Sequence, residues 1–354
     1  KANQNALVIA VTKQSLGYLE TADVSVAGGS VSCSWTSKGS TSSPSTTLPE
    51  LFEQQVARTP EAIALVCGNE QLSYTDLDQR ANQLARHLIA QGAGPEQIVA
   101  ILLDRSTAMI VSMLAVLKAG AAYLPLDPSY PRERLSFMLA DSSASVLLST
   151  DAILDRTEVE APKTIRLDDY LIDVMLEQYP SHAVMDSERS TALTPQNLAY
   201  LIYTSGSTGT PKGAGNTHAG GCNLVDVLIT AHGHKPNARV LQFASFAFDA
   251  SFSEVMPALA SGATLYLIDD AAVRADPKAL GQFIAEHKIT LATLPPVILP
   301  EMTIEELASL QTLVVAGEAC SPALVRRHAE HCNMLNGYGP TEASVCVTIA
   351  GPLD

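Results

Sequence analysis

The sequence is poor in residues that build metal clusters or disulfide frameworks. It has six cysteines among 354 residues, and they are scattered, with no CxxC pair and no cysteine–histidine cluster at metal-ligand spacing. This pattern argues against a zinc site and against a secreted disulfide scaffold. A reducing compartment fits best, so we expect a cytoplasmic protein.

Basic residues and long apolar runs are also scarce. The 22 Lys and Arg residues are outnumbered by 37 Asp and Glu residues, which gives a formal net charge of -15. A field of this sign repels phosphate backbones and anionic lipid, so we expect no nucleic-acid or membrane partner. The most apolar stretch, 109–117, is too short to span a bilayer. Any nucleotide must therefore be bound locally.

Most of the chain has the composition of a globular protein, but its beginning does not. Hydrophobic residues make up 47% of the sequence, enough for a substantial core at this length. Residues 30–47, in contrast, are dominated by Ser and Thr, which bury little apolar surface. We expect 1–47 to be an upstream segment ending in a linker, and 48–354 to form the folded region.

From residue 48 onward, apolar runs of strand length alternate with segments of helical period. Helices are expected at 75–91, 107–118 and 131–141. Strands are expected at 98–103, 122–125, 144–149, 198–203, 239–243, 263–267, 289–293, 311–315 and 333–336. Such alternation predicts an α/β fold with two helix-covered, mostly parallel sheets in one continuous core.

The strongest local signal is a glycine-rich loop, Tyr203-Thr-Ser-Gly-Ser-Thr-Gly-Thr-Pro-Lys-Gly213, directly after a predicted strand. Its glycines allow backbone amides and hydroxyls to converge on phosphate oxygens, and Lys212 adds a positive charge. The spacing is not that of the Walker loop. A flexible Ser/Gly linker is the alternative, but a linker needs neither the buried-type strand nor the Pro-Lys-Gly ending. We therefore predict a phosphate-binding loop.

This loop and four further motifs, in the same order and spacing, resemble the adenylate-forming superfamily of acyl-CoA synthetases, luciferases and peptide-synthetase adenylation domains. The further motifs are Leu72-Ser-Tyr-Thr-Asp-Leu, Leu117-Lys-Ala-Gly-Ala-Ala-Tyr-Leu-Pro-Leu-Asp, Phe248-Asp-Ala-Ser-Phe-Ser-Glu and Asn336-Gly-Tyr-Gly-Pro-Thr-Glu. Residues 48–354 are most similar to the amino-terminal core of a nonribosomal peptide synthetase adenylation domain. The resemblance implies the layered large subdomain of that fold.

The resemblance also implies a reaction. ATP and Mg²⁺ would convert an amino acid to its aminoacyl-AMP with release of pyrophosphate, for loading onto the phosphopantetheine thiol of a peptidyl carrier protein. A condensation domain would be a neighbour. The family continues beyond this segment with a β-barrel, a ribose-binding Asp, a hinge and a lysine-bearing carboxy-terminal subdomain. The resemblance therefore implies an incomplete core that is poorly active alone.

Nucleotide contacts are assigned by the same resemblance. They fall on Thr204, Ser205, Gly206, Ser207, Thr208, Gly209, Lys212, Gly317, Glu318, Asn336, Tyr338 and Thr341. Tyr338 would stack on adenine, Thr341 would contact the α-phosphate region, and Glu342 would ligate Mg²⁺, so that Lys212, Thr341 and Glu342 are the expected catalytic residues. A hard cation prefers carboxylate and phosphate oxygens, which is consistent. Read alone, the 338–342 segment is also compatible with a turn followed by a helix cap, and Glu318 with a plain strand-to-helix turn.

Asp249 distinguishes the classes within this superfamily. Similar amino-acid-activating domains carry Asp here to pair with the α-ammonium, whereas aryl-acid relatives usually carry Asn and acyl-CoA synthetases lack the motif. A carboxylate beside an apolar pocket needs a cation, which supports this interpretation. A helix N-cap before residue 250 is the alternative, and Asp249 can fill both roles.

The remaining substrate contacts follow from the resemblance. They are Ala250, Ser253, Thr293, Val314, Ala316, Gly337, Val345 and Cys346. Small residues among them leave a deep cavity with no second charge, which favours a large aromatic substrate, with tyrosine ahead of phenylalanine and then tryptophan. The competing hypotheses are an acyl- or aryl-acid-CoA ligase and a catalytically incomplete binding module.

Overall fold

The computed structural model describes residues 8–10, 20–27, 30–37, 46–204 and 211–353. Two compact units emerge from the contacts within the chain. The unit called here the first comprises Ser45–Cys222 and Ser245–Phe252. The second comprises Lys1–Pro44, Asn223–Ala244 and Ser253–Asp354.

The elements within these residues are numbered along the chain. The strands are β1 (Val8–Ala10), β2 (Glu20–Ala27), β3 (Ser30–Ser37), β4 (Ile63–Cys67), β5 (Glu70–Ser73), β6 (Ile98–Leu102), β7 (Ala122–Leu126), β8 (Val146–Ser149), β9 (Thr164–Arg166), β10 (Leu198–Thr204), β11 (Lys212–Thr217), β12 (Arg239–Gln242), β13 (Thr264–Leu267), β14 (Leu291–Leu294), β15 (Thr312–Ala316), β16 (Asn333–Tyr338) and β17 (Thr348–Ala350). The helices are α1 (Leu48–Arg58), α2 (Tyr74–Ala90), α3 (Thr107–Ala119), α4 (Arg132–Asp141), α5 (Asp151–Thr157), α6 (Tyr170–Leu176), α7 (His218–His232), α8 (Ala250–Ser261), α9 (Ala271–Ala275), α10 (Pro277–Glu286) and α11 (Pro322–His328). Short 3₁₀ segments lie at Asp186–Glu188, Pro296–Glu301 and Thr341–Ala343.

The first unit contains a mostly parallel sheet. Its strand order is β11-β10-β7-β6-β8-β9, in which neighbouring strands are parallel except for the antiparallel β10–β11 pair. β7 is buried along its whole length, as expected for a strand covered on both faces. This arrangement confirms the parallel sheet predicted from the alternating pattern.

Local sequence signals begin and end the helices beside this sheet. The Ser73 hydroxyl accepts a hydrogen bond from the Asp76 amide at the start of α2, and the Asp76 carboxylate accepts one from the Ser73 amide. Ser106 accepts from the Met109 amide at the start of α3, and Gly120 ends that helix with φ of 87°. These are capping interactions that the backbone requires at helix ends.

The second unit contains another mostly parallel arrangement, with strand order β17-β16-β15-β14-β12-β13. Its strands are parallel except for the antiparallel β16–β17 pair. The carboxyl ends of parallel strands lie at one edge of a sheet, which is where open α/β sheets bind ligands. This edge carries several of the residues predicted for substrate and nucleotide contacts.

The prediction of a linker over 30–47 is wrong for its first part. Residues Ser30–Ser37 form β3, which pairs antiparallel with β2. The reason lies in the sequence, because Val31, Cys33 and Trp35 alternate with Ser and Thr in the two-residue period that strands require. Residues 38–45 lie outside the described residues. The domain boundary after residue 47 stays a prediction.

Among the described helices, none combines the length and the apolar character that a membrane crossing requires.

Candidate active site

The predicted phosphate-binding loop connects two paired strands of the first unit. The chain leaves β10 at Thr204 and returns at Lys212, and these two residues are opposite each other in the antiparallel ladder. Lys212 is exposed and Thr204 is half-buried. The pairing holds the two ends of the loop together, and it places Lys212 on a strand that the sequence pattern did not predict. Ser205, Gly206, Ser207, Thr208 and Gly209 lie outside the described residues.

Asp249 lies between two aromatic anchors in the same unit. Phe246 stacks on Tyr123 with ring centroids 5.7 Å apart and an interplanar angle of 9°. Phe252 packs against Tyr200 at 4.8 Å. Asp249 is half-buried and immediately precedes α8, so its position suits both the predicted ammonium contact and the alternative N-cap. The anchors hold the backbone on either side of the carboxylate.

Asp127 provides a further attachment that the sequence analysis missed. Its carboxylate accepts hydrogen bonds from the Ser129 amide and hydroxyl, and from the Ser245 hydroxyl at 2.7 Å. Burial alone would raise the pKa of Asp127, but these hydrogen bonds and the charge of Arg105 together hold the pKa below its ordinary value. Asp127 therefore remains ionised and ties the end of β7 to the segment before Asp249. The sequence signal that could have identified Asp127 is its place as the acidic residue at the end of the Leu-Pro-Leu-Asp motif.

Glu254, in the second unit, is another carboxylate that holds a segment in place, and the sequence analysis missed it too. Its side chain is 1% exposed and accepts hydrogen bonds from the Gln242 amide group and from the backbone amides of Phe243 and Ala244. These contacts fix the turn that follows β12. A glutamate inside the apolar helix α8 was the sequence signal, because a buried carboxylate requires donors.

The predicted side-chain pocket gathers at the carboxyl ends of β14, β15 and β16. Thr293 is opposite Val314, and Ala316 is opposite Gly337. A Cβ atom at Gly337 would lie 3.7 Å from Val314 Cγ1 and 3.8 Å from Cys346 Sγ. It would lie 4.0 Å from Ala316 Cβ. The missing side chain of Gly337 therefore leaves a space lined by small or apolar groups.

Two more predicted pocket residues belong to α8. Ala250 begins the helix in the first unit, and Ser253 lies in the part of the helix that belongs to the second unit; both are half-buried.

A tight turn returns the chain from the predicted magnesium segment to this pocket. Ser344 and Val345 have positive φ values of 58° and 69°, and the Cys346 amide donates to the Ser344 carbonyl at 2.8 Å. This is a γ-turn with a β-branched residue at its centre, an uncommon and strained conformation. A Cβ at Gly339 would lie 2.4 Å from the Val345 carbonyl oxygen, so only glycine fits there. The turn brings Cys346 back beside Gly337.

The predicted nucleotide contacts of the second unit lie on exposed turns. Gly317 follows β15 with φ of 88°, and both it and Glu318 are exposed. Asn336 is half-buried within β16, whereas the Tyr338 side chain at its end is 70% exposed. An exposed aromatic face at a strand end is suited to stack on a base. The predicted roles of these residues stay predictions.

Glu342 offers a single exposed carboxylate beside Thr341 in a 3₁₀ turn. Within the described part of the chain, no group of three or more His, Cys, Asp or Glu side chains surrounds a metal position. A lone carboxylate fits Mg²⁺, which keeps several waters and takes its other ligands from substrate phosphates. The same geometry does not suit a dedicated structural metal site.

Comparison with known proteins places the chain in a class. The family model described as "AMP-binding enzyme" matches residues 52–354. The chain therefore belongs to the AMP-binding enzyme family.

Curated synthases and biosynthesis proteins are among its relatives. The chain is 44% identical over 300 residues to a linear gramicidin synthase of Brevibacillus parabrevis, which covers 85% of this chain and 6% of that protein. It is 42% identical over 311 residues to novobiocin biosynthesis protein H of Streptomyces niveus, covering 87% of this chain and 51% of that protein. The chain thus spans a small fraction of the first relative's length and about half of the second's.

Solved structures show the same likeness. A crystal structure of the nonribosomal peptide synthetase FmoA3 matches with a TM-score of 0.79 and 28% identity, over 88% of this chain and 33% of that chain. Its AMPPNP-bound form matches with a TM-score of 0.78, 27% identity and the same coverage of both chains. The predicted likeness to nonribosomal peptide synthetase adenylation domains is confirmed, as is the α/β fold with two helix-covered sheets.

Proposed function

We propose that this protein activates an amino acid as its aminoacyl-adenylate, using ATP and Mg²⁺. In this reaction a carboxylate oxygen of the amino acid attacks the α-phosphorus of ATP; the new O–P bond forms as the bond to pyrophosphate breaks. The observation that carries the proposal is Asp249, a half-buried carboxylate held between the Phe246 and Phe252 anchors in a chain of the AMP-binding enzyme family.

Each unit supplies groups with a separate task. Asp249 pairs with the α-ammonium, which offsets the cost of partly burying its charge. The exposed Lys212 and the Thr341 hydroxyl contact the phosphate groups, and Tyr338 stacks on the adenine. Glu342 holds Mg²⁺, which when bound neutralises charge on the phosphates. Asp249 thereby orients the amino acid, and Lys212 reduces repulsion between the negative charges of the reactants.

The side chain of the amino acid is proposed to be large and aromatic, with tyrosine ahead of phenylalanine. Ala316 and Gly337 leave room, Val314 and Cys346 provide apolar contacts, and the half-buried Thr293 offers a hydroxyl. None of these side chains carries a charge, so a basic or acidic substrate would lack a partner.

The aminoacyl group is then proposed to pass to the phosphopantetheine thiol of a peptidyl carrier protein, with a condensation domain as a neighbour. Similarity to long synthases, of which this chain spans a small part, supports these partners. We place the reaction in the cytoplasm, because the scattered cysteines of the sequence suit a reducing compartment.

Amino-acid-dependent ATP–pyrophosphate exchange tests the proposal. The full-length protein would be assayed with each proteinogenic amino acid and with aryl and fatty acids that lack an ammonium group. We expect exchange above background with tyrosine or phenylalanine. Exchange only with the ammonium-free acids would instead indicate a CoA ligase, and no exchange with any acid would indicate a binding module.

A substitution in the pocket tests the preference separately. Gly337→Val places three carbons in the space between Val314, Cys346 and Ala316. We expect efficiency with tyrosine and phenylalanine to fall by roughly tenfold or more while alanine is used relatively better, because a filled pocket rejects large side chains. Equal loss with large and small amino acids would contradict this placement of the pocket.

A further inference from the structure

Two buried tyrosines of the first unit carry hydroxyl groups that the fold does not use. Tyr123 on β7 is 1% exposed and Tyr200 on the neighbouring strand β10 is 0% exposed. They are directly opposite each other in the parallel ladder, with ring centroids 5.7 Å apart. Neither hydroxyl has a hydrogen-bond partner among the described residues.

Such a pair is unfavourable for stability alone. A buried hydroxyl loses its hydrogen bonds to water, and phenylalanine would fill almost the same volume without that cost. The rings themselves account for the packing against Phe246 and Phe252. The hydroxyl groups therefore require an explanation beyond core packing.

The groups around the two tyrosines point to Asp249. Their rings support Phe246 and Phe252, which flank this carboxylate in the chain. Burial is the main cause that raises the pKa of both tyrosines, and the negative charge of Asp249 raises the pKa of each further. Both phenols therefore keep their protons and remain hydrogen-bond donors within the field of the carboxylate.

We propose that Tyr123 and Tyr200 are positioning residues for amino-acid recognition, whose buried hydroxyl dipoles stabilise and orient the ionised carboxylate of Asp249. This inference rests on the proposed function, in which Asp249 pairs with the α-ammonium. Donors near a carboxylate favour its charged form, and only that form pairs with a cation. Dipoles held rigidly by two adjacent strands need no reorganisation when the substrate binds.

The test removes only the oxygen atoms, in Tyr123→Phe, Tyr200→Phe and the double variant of the full-length protein. Pyrophosphate exchange gives KM for tyrosine or phenylalanine and for ATP. Inhibition of that exchange gives Ki for the matching des-amino acid, an arylpropionate. We expect the amino-acid KM of the double variant to rise roughly fivefold or more, as for loss of interactions with a charged group. KM for ATP and the arylpropionate Ki should stay unchanged, and thermal stability should not fall.

Tyr74→Phe is the matched control, because Tyr74 is also fully buried in this unit and its ring contacts Phe52 instead. It should leave all three constants unchanged. The inference is overturned if the double variant raises the amino-acid KM and the arylpropionate Ki equally, or raises neither. In both cases the hydroxyls do not act through recognition of the ammonium group. Tyr123→Phe alone decides the matter if variants at position 200 are insoluble.

Asp249→Asn separates this inference from the proposed function. If Asp249→Asn raises the amino-acid KM selectively and the tyrosine variants do not, only the positioning role is wrong. If Asp249→Asn also leaves the amino-acid KM unchanged, the ammonium site itself is misplaced.

Discussion

Two buried clusters of titratable groups, one in each unit, are stabilised in opposite ways. In the first unit, Lys118 is 0% exposed and forms ion pairs with Glu53 and with Asp78 at 2.9 Å. In the second, His232 and His234 are buried with their rings stacked 5.9 Å apart. Burial lowers the pKa of His232 to about 4, and burial together with the nearby His232 lowers the pKa of His234 to about 3. The lysine cluster buries a charge by pairing it, and the histidine pair is buried in the neutral form.

The proposed functional groups show a related contrast. Asp249 of the first unit is half-buried and supported by aromatic anchors, whereas Tyr338 and Glu342 of the second unit are exposed on turns. A supported carboxylate suits selective recognition of one small cation. Exposed groups suit a nucleotide with its metal ion, because phosphate oxygens and water supply the remaining ligands of that ion.

The largest effect is expected from breaking the buried charge pair of the first unit. Lys118→Met removes the cation that faces Glu53 and Asp78, and should lower the free energy of unfolding by about 3–5 kcal/mol, because two carboxylates lose their partner. Denaturant unfolding measures this change. Lys163→Met, at an exposed site where the ammonium donates to the Gln91 carbonyl, is the control and should cost far less. A similar decrease in the free energy of unfolding for both variants would show that the buried ion pairs stabilise the unit no more than a surface contact does.

Asp249→Asn tests whether the supported carboxylate recognises the ammonium group. We expect the amino-acid KM to rise roughly a hundredfold, about 3 kcal/mol, while KM for ATP changes little, because only the amino acid loses its ion pair. Pyrophosphate exchange with each substrate varied in turn measures both constants. The exposed Asp155→Asn serves as control. An equal rise in KM for the amino acid and for ATP would show that Asp249 has a structural role instead.

Acid should destabilise the second unit through its buried histidines. Their folded-state pKa values lie below the ordinary 6.5, so the unfolded chain takes up protons first as the pH falls. Stability is therefore fully present above pH 6.5 and declines below it. From pH 6.5 to pH 5.5 we expect a loss of about 1 kcal/mol for each histidine.

Denaturant unfolding across this pH range, in the parent protein and in the double variant His232→Gln/His234→Gln, measures that loss. The double variant should show a flatter dependence on pH, whereas the exposed His331→Gln should follow the parent. Identical slopes in all three proteins would mean that the buried pair does not titrate as inferred.

The smallest effect is expected at the exposed carboxylate. Glu342→Gln should reduce productive use of ATP roughly tenfold and raise the Mg²⁺ concentration required, since one charged ligand is lost. Pyrophosphate exchange during a Mg²⁺ titration measures both. Glu330→Gln, another exposed site of this unit, should match the parent. An unchanged magnesium dependence in Glu342→Gln would refute its metal role.

Periodicity predicted the central parallel strands of both sheets, because burial on both faces of a parallel strand requires an unbroken apolar run. The runs before Leu103 and Tyr203 became β6 and β10, with ends shifted by one residue. β11 was missed, because Lys212-Gly-Ala-Gly-Asn-Thr has little apolar character and pairs only as an edge strand. β3 was missed because serine content outweighed the alternation of Val31, Cys33 and Trp35.

The sequence by itself determined the α/β class, the order of the motifs and the identity of Asp249, Lys212 and Glu342 as candidate residues. These depend on local spacing and on chemistry that each side chain carries alone. Only the tertiary structure decided that Tyr123 lies opposite Tyr200, that Asp127 holds Ser245, and that Gly337 opens a space beside Cys346. Such contacts join residues distant in the chain, and the register of strand pairing that creates them is set by the packing of the whole sheet.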